Sequence, residues 1–334
     1  SNTLTTGEIM KASPSHTLAA VAVAFACASS AAYAAEQGYP NRPIRMLVGF
    51  APGGGTDTTA RALTPKLSER LGQQVIVDNR PGASGNIATD IITKAPADGY
   101  TILLGTIAAL AINPTLYGNL PFDPLKDLAP VIRAADSTNI LVVHPTVPAK
   151  TVKDLIALAK AKPLNVGSSG VGGTGHLALE LFNVMAGTKM THVPYKGGGP
   201  AMVDLLGGQI NAVFATAASA VPHIQSGKIN ALAVTTAKRS QLVPNLPTVA
   251  EAGLPGFEAN NWNGVMVPAK TPRAVIERLN KEFTAVLNTP DVKQLLFKQG
   301  LDVATGTPEE FSAYIKVETV KWAKVIKASG AKPE

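Results

Sequence analysis

"VGFAPGGGTD", residues 48–57, is an apolar run that empties into three glycines and a Thr-Asp pair. Glycines in a row have no side chains to pack, so they expose backbone rather than build core. The residues before them, 46–50, read as a buried strand. Those after Asp57 read as a helix that places Ala60, Leu63, Leu67 and Leu71 on one face and stops at Gly72. A loop between a strand and a helix start carries unsatisfied N–H groups and about half a positive charge, and attracts anions without a basic side chain. Pro52 stiffens the turn, and Thr56 or Asp57 caps the helix.

The plan recurs further along. The first unit is followed by the strand QVIVDN (74–79) and the loop RPGASGN (80–86). A strand at 165–167, the loop GSSGVGGTGH (167–176) and a helix from His176 are followed by MTHVPY (190–195) and KGGGPA (196–201). With further strands expected at 75–77, 101–104, 140–143, 213–214, 231–234 and 265–267, the alternation predicts an α/β protein of two lobes. Each lobe is a mainly parallel sheet flanked by helices, and its loops meet ligand at the carboxyl edge. Crossings near 137–141 and 261–265 form a two-crossing hinge. Lobe 1 is then 35–138 with 262–334, and lobe 2 is 139–261. Capping boxes start helices at Thr151 with Asp154 and at Thr307 with Glu310, the latter ending at Gly330.

Residues 1–34 read as a cleavable signal peptide. Lys11 and His16 precede an apolar run at 18–28, and Ala32-Tyr33-Ala34 fits the cleavage rule, making Ala35 the first mature residue. The run is too short to span a bilayer. Cys27 is the single cysteine of the 334 residues, so the exported chain has no disulfide, thiolate nucleophile or cysteine-ligated metal. The alternative, acylation of Cys27, lacks the usual branched aliphatic three positions earlier, where Ala24 stands.

The leader's one Lys and one Glu cancel, so the net charge of +7 belongs to the mature chain. Lys and Arg are not clustered with aromatics, which excludes a nucleic-acid groove and leaves attraction of small anions or a solvated basic surface. Gly170, Gly172 and Gly175 satisfy G-x-G-x-x-G, but about 20 residues on, where a ribose-binding acid belongs, the chain reads Val193-Pro-Tyr-Lys196. No P-loop and no H-E-x-x-H occurs, and the histidine spacings offer no metal site. No cofactor, metal or catalytic residue is therefore assigned. A serine hydrolase using Ser168 or Ser169 with His176 stays as the alternative, without a G-x-S-x-G elbow.

Several residues have two readings. Asp57 is a helix cap or the partner of a ligand donor, and His176 is a donor to the anion or a surface histidine. Tyr195 and Lys196 cover and neutralise a ligand, or pack at an edge and stay solvated. Trp262 is core and hinge packing or a stacking platform.

YPNRPIRMLVGFAPGGGTDTTAR (39–61), VIVDNRPGASGNIA (75–88), PADGYTILLGT (96–106), VGSSGVGGTGH (166–176), THVPYKGGGPAMVDLLGGQI (191–210) and LAVTTAKRSQLVPNLPTVAEAG (232–253) occur in this order behind an export leader. Together they resemble the Bug family, periplasmic receptors of tripartite tricarboxylate transporters, over residues 39–330. The resemblance implies a monomeric, non-enzymatic periplasmic binding protein that closes on a small carboxylate and delivers it to a membrane permease. A sensor that presents the closed form to a signalling partner would use the same site. Backbone amides, hydroxyls and ordered waters would hold one carboxylate. By this resemblance the ligand-binding residues are Phe50, Ala51, Gly54, Thr56 and Asp57, with Asn86 and Thr106 nearby, and Ser168, Gly170, Thr174, His176, Tyr195 and Lys196 from the second lobe. Where many relatives have an acid after the strand at 213–214, this chain has Ala215-Thr216, which leans away from cationic amino acids.

Overall fold

Strand β1 (Ile44–Val48) reads IRMLV and buries all but Arg45, as a strand covered on both faces must. The computed structural model describes residues 38–333 apart from Gly54 and Lys196; the expected leader and Cys27 lie outside the described residues. Arg42–Glu334 forms one unit and Ser1–Asn41 another, and every element named below belongs to the former.

Helix α1 (Gly55–Leu71) buries Ala60, Leu63, Leu67 and Leu71, the stripe read from the sequence. Strand β2 (Val75–Asn79), a turn at Ala83–Gly85, helix α2 (Asn86–Thr93) and strand β3 (Thr101–Thr106) follow. A π-helical turn at Ala108–Ile112 and short helices α3 (Asn113–Leu116) and α4 (Pro124–Asp127) lead into β4 (Leu128–Ser137). One residue later β5 (Asn139–Val143) begins in a different sheet. That sheet is completed through α5 (Val152–Ala161), β6 (Asn165–Ser168), α6 (Thr174–Ala186), β7 (Thr191–Pro194), α7 (Gly198–Leu206), β8 (Ala212–Thr216), α8 (Ala217–Gln225) and β9 (Asn230–Val234). The chain returns in β10 (Asn261–Pro268) and ends with α9 (Arg273–Leu287), α10 (Pro290–Lys298), β11 (Leu301–Val303) and α11 (Pro308–Ser329).

The six-stranded sheet has the order β11-β4-β10-β3-β1-β2 and the five-stranded sheet β7-β6-β8-β5-β9. Each contains a parallel trio, β2-β1-β3 and β7-β6-β8, that carries the βα units. The other ladders are antiparallel. The strands at the two crossings, β4, β5 and β10, run antiparallel to their neighbours. Strands β4 and β11 were not evident in the sequence. The run LAPVIRAADS of β4 interrupts its apolar pattern with Pro130, Arg133 and Asp136, yet β10 and β11 pair with its two edges.

In β5, Leu141 and Val143 enter one core cluster and Ile140 and Val142 the other, so helices on both faces demand an unbroken apolar run. Helix α11 starts with the expected Thr307–Glu310 capping box and packs against both β4 and α6, joining elements of the two sheets through one core. Trp262 is fully buried there, edge-on to Phe311 at 5.4 Å and to Tyr314 at 5.8 Å. Gly264 has no alternative beside it, since a Cβ would overlap the Phe311 ring.

Next to Trp262, the register aligns Asp136 of β4 with Trp262 of β10 and Asp302 of β11. Burial pushes the Asp136 carboxyl up to about 6; Arg133 opposes the shift, and the carboxylates of Asp302, Glu258 and Glu318 reinforce it. Because the folded state holds this proton more tightly than the unfolded state, stability falls as pH rises from about 4 through about 6. Asp136→Asn mimics the protonated form. It should melt higher than the wild type above pH 6, by an upper bound of about 3 kcal/mol, with the advantage vanishing towards pH 4 in thermal melts across that range.

Candidate functional site

The two sheets present strand ends and helix starts to one cleft of about 760 Å³, the size of a small-molecule site. Phe50, Gly53, Gly55, Thr56, Ser84 and Thr106 line it from the first sheet, and Ser169, Gly170, Gly173, Thr174 and Gly175 from the second. Ser137, Asn139, Asn261 and Asn263, from the two crossings, complete the wall. Among the described residues on that wall Lys298 is the one charged side chain. A ligand's charge must therefore be met largely by amides, hydroxyls and water.

Amides serve as ligands only when their loop is rigid, and buried side chains hold each loop from behind. At the first loop, Asp57 is 2% exposed and accepts from the Gly53 N–H at 2.9 Å, from Asn79 Nδ2 at 2.9 Å and from Arg61 Nε at 3.0 Å. Burial raises the pKa of this carboxyl, but the hydrogen bonds from Arg61, Gly53 and Asn79 outweigh it and leave it below the ordinary value. Asn79 also donates to the Phe50 carbonyl at 3.0 Å, so one amide side chain ties both ends of the glycine run to β2.

The second loop is held by an imidazole pair. Gly172 N–H donates to His176 Nδ1 at 3.1 Å, which fixes His176 with no proton on Nδ1, while its Nε2 faces Glu180 at 3.5 Å. The His192 ring stacks on His176, centroids 3.9 Å apart and planes 14° from parallel. His192 Nε2 lies 2.6 Å from Ser168 Oγ, and that hydroxyl also accepts from Gly170 N–H at 3.1 Å. Burial, with His176 alongside, pushes His192 down to about 4. Gly172 has a φ of +75°, and a Cβ on it would sit 2.9 Å from the Leu116 side chain, so the loop tip lies directly against α3. Behind that contact Asn113 Nδ2 donates to Asn86 Oδ1 at 2.7 Å.

Of the residues named from the sequence, Phe50, Thr56, Thr106, Gly170 and Thr174 line the cleft. Asp57, Asn86, Ser168 and His176 are buried behind it, their polar atoms engaged in holding the loops. Ala51 is exposed outside the lining. Tyr195 donates its hydroxyl to Asp204 at 2.7 Å, and burial with that bond pushes the phenol up to about 12. Gly54 and Lys196 lie outside the described residues. Sequence reasoning passed over Asn79, His192, the crossing residues Ser137, Asn139, Asn261 and Asn263, and Lys298. Polar side chains at the ends of the apolar runs of β5 and β10, where the chain changes sheet, were the available signal for Asn139, Asn261 and Asn263; Ser137 and Lys298 carried none. Thr106 Oγ1 and Asn139 Oδ1 are buried without a partner among the described residues, although both residues line the cleft. Unpaired buried polar atoms call for ordered water or a bound ligand.

Two helix-flanked α/β sheets joined by two crossings, around a cleft walled by main chain and hydroxyls, have the architecture of a two-lobed solute-binding protein. Residues 59–331 match the family model of the tripartite tricarboxylate transporter family receptor, and the chain belongs to that family. Rpa4515 of R. palustris, solved with adipate, is 39% identical, with a TM-score of 0.79 over 89% of this chain and 100% of that one. The periplasmic binding protein BugD is 33% identical, with a TM-score of 0.76 over 89% and 100% of the two chains. MatC from Rhodopseudomonas palustris, solved with bound malate, is 30% identical, with a TM-score of 0.76 over 86% and 100%. Membership of this family of periplasmic binding proteins implies a periplasmic location.

The imidazole stack predicts a pH response. The folded pKa of His192, about 4, lies below its unfolded value of 6.5, so the unfolded chain takes up the proton first and stability is lost as pH falls from 6.5 towards 4. His192→Gln should flatten that part of the melting-temperature profile, measured by thermal denaturation at half-unit pH steps. An unchanged slope in the variant would contradict the half-buried neutral imidazole.

Proposed function

We propose that this protein captures a small organic carboxylate between its lobes and delivers it to the membrane permease of a tripartite tricarboxylate-type transporter. The observation that carries the reading is the cleft itself, walled from both sheets by helix starts and hydroxyls and free of acidic side chains among the described residues. One carboxylate of the ligand engages the starts of α1 and α6, where backbone donors and helix dipoles favour negative charge. Gly53 N–H is already committed to Asp57, so the amides further into α1, with Thr56, make the contact on that side. Thr106 and Asn139 take bridging waters or ligand hydroxyls. The adipate and malate carried by Rpa4515 and MatC support a carboxylate as the ligand class.

Within Arg42–Glu334 the chain changes lobe after Thr138 and returns at Trp262, and the links around Thr138 and Asn260 are the hinge. Thr138 O accepts from Ala217 N–H at 2.8 Å, which anchors the first crossing to the second sheet. The chain acts after export and removal of residues 1–34. A ligand that contacts both lobes favours the closed form, whereas one held equally by open and closed forms moves nothing.

Two measurements test this. In a thermal-shift panel of mono-, di- and tricarboxylates, at least one acid at a hundredfold over its Kd should stabilise the protein by about 2.7 kcal/mol. Small-angle scattering with that acid should show a smaller radius of gyration. Absence of any shift across the panel rejects the receptor reading, and a shift without compaction rejects hinge closure.

A further inference from the structure

Resting on the carboxylate-receptor reading, we propose that Lys298 and the first turn of α8 form a second anion subsite at the far end of the cleft. The ligand is then a linear dicarboxylate held at both ends.

Lys298 is the last residue of α10, is exposed, and lines the cleft with no ion pair among the described residues. The turn after it is clamped against the second sheet. Gly300 has a φ of +76°, and a Cβ there would lie 2.9 Å from the Ala218 nitrogen and 3.2 Å from the Ala217 methyl. Lys298 and Gln299 consequently stand beside the start of α8, from which Thr216, Ala218 and Ser219 also line the cleft. A buried group between the two helix starts points the same way. Asn139 is 1% exposed and pairs across the ladder with Thr216. Its Nδ2 reaches Thr174 Oγ1, at the start of α6, at 3.3 Å, and its Oδ1 has no partner among the described residues although the residue lines the cleft. A ligand lying from α6 to α8 passes over this atom and can supply the missing donor directly or through a water.

Strand order gives the length of the ligand. Helix α6 follows β6 and helix α8 follows β8, and these strands are neighbours in the sheet. Adjacent strands are about 4.8 Å apart and packed helices about 8–10 Å, so the two helix starts are separated by roughly 5–10 Å. Five carbon–carbon bonds of about 1.5 Å, shortened by their zigzag, place the carboxyl carbons of adipate ~6 Å apart. The span therefore suits chains of about five to nine carbons, with the ammonium on its four-carbon stem adjusting to the exact length. A lysine in the last turn of α10 also favours that helix end electrostatically, so the test must separate binding from helix stability.

Calorimetric titration of the full chain with adipate and with hexanoate, which has the same carbon skeleton and one carboxylate, does so. Adipate should bind at least about tenfold tighter, equivalent to about 1.4 kcal/mol. Lys298→Met should weaken adipate by about that factor and leave hexanoate unchanged, Lys298→Arg should keep most of the preference, and the free Lys298→Met variant should melt only slightly below the wild type, the helix-end contribution of the lysine. A series from malonate to suberate should show its optimum within the predicted lengths. Equal affinity for adipate and hexanoate, or an undiminished preference in Lys298→Met, overturns the second subsite while the receptor reading stands. If no mono-, di- or tricarboxylate binds, both fall.

Discussion

An anion site with almost no charged side chains depends on the placement of main-chain dipoles. Water reorients around any charge at little cost, so protein amides compete with it only when they are fixed in position before the ligand arrives. This requirement organises the residues behind the cleft. Asp57, Asn79 and Arg61 immobilise the first glycine loop, and Ser168, His176 and His192 immobilise the second. The glycines give the loops room to approach a ligand, and the buried polar groups remove the freedom that glycine would otherwise leave. A Ser–His contact of 2.6 Å thus has a structural use: Ser168 is 1% exposed, and its hydroxyl ties the loop rather than meeting solvent or substrate.

The same economy of charge governs the crossings. Ser137, Asn139, Asn261 and Asn263 are polar residues at the ends of strands β4, β5 and β10, placed where the strand leaves the core and enters the cleft wall. Immediately behind them Trp262 and the aromatic face of α11 seal the core, and the carboxylates of Asp136, Asp302, Glu258 and Glu318 gather with Arg133. Helix α11 belongs to neither sheet alone. By packing on β4 and on α6, it couples the last of these helices to the one whose start lines the cleft.

Local signals made much of the fold legible. The stripe of α1, the capping boxes at Thr151 and Thr307, and the apolar run of β5 are each encoded within a few consecutive residues, because helix periodicity, capping and two-sided burial act over that range. Strand β4 was not legible. Its Pro130, Arg133 and Asp136 read as a break, and only the edges of β10 and β11, more than 120 residues away in the chain, make it a ten-residue strand. Of the site, the glycine loops could be recognised because a strand end, glycines and a helix start are contiguous in sequence. The role of each side chain within them could not, since whether His176 or Ser168 faces a ligand or its own loop depends on rotamers and on partners such as His192, 24 residues from Ser168.

By itself, then, the sequence determined the βα units, their duplication and the chemical character of the loops, all set by interactions between residues close along the chain. The tertiary structure alone decided the order of the strands within each sheet, which hydroxyls were already committed to the backbone, and that the turn after Lys298 came to rest against α8. These outcomes depend on packing between segments far apart in sequence, and no local pattern of residues carries that information.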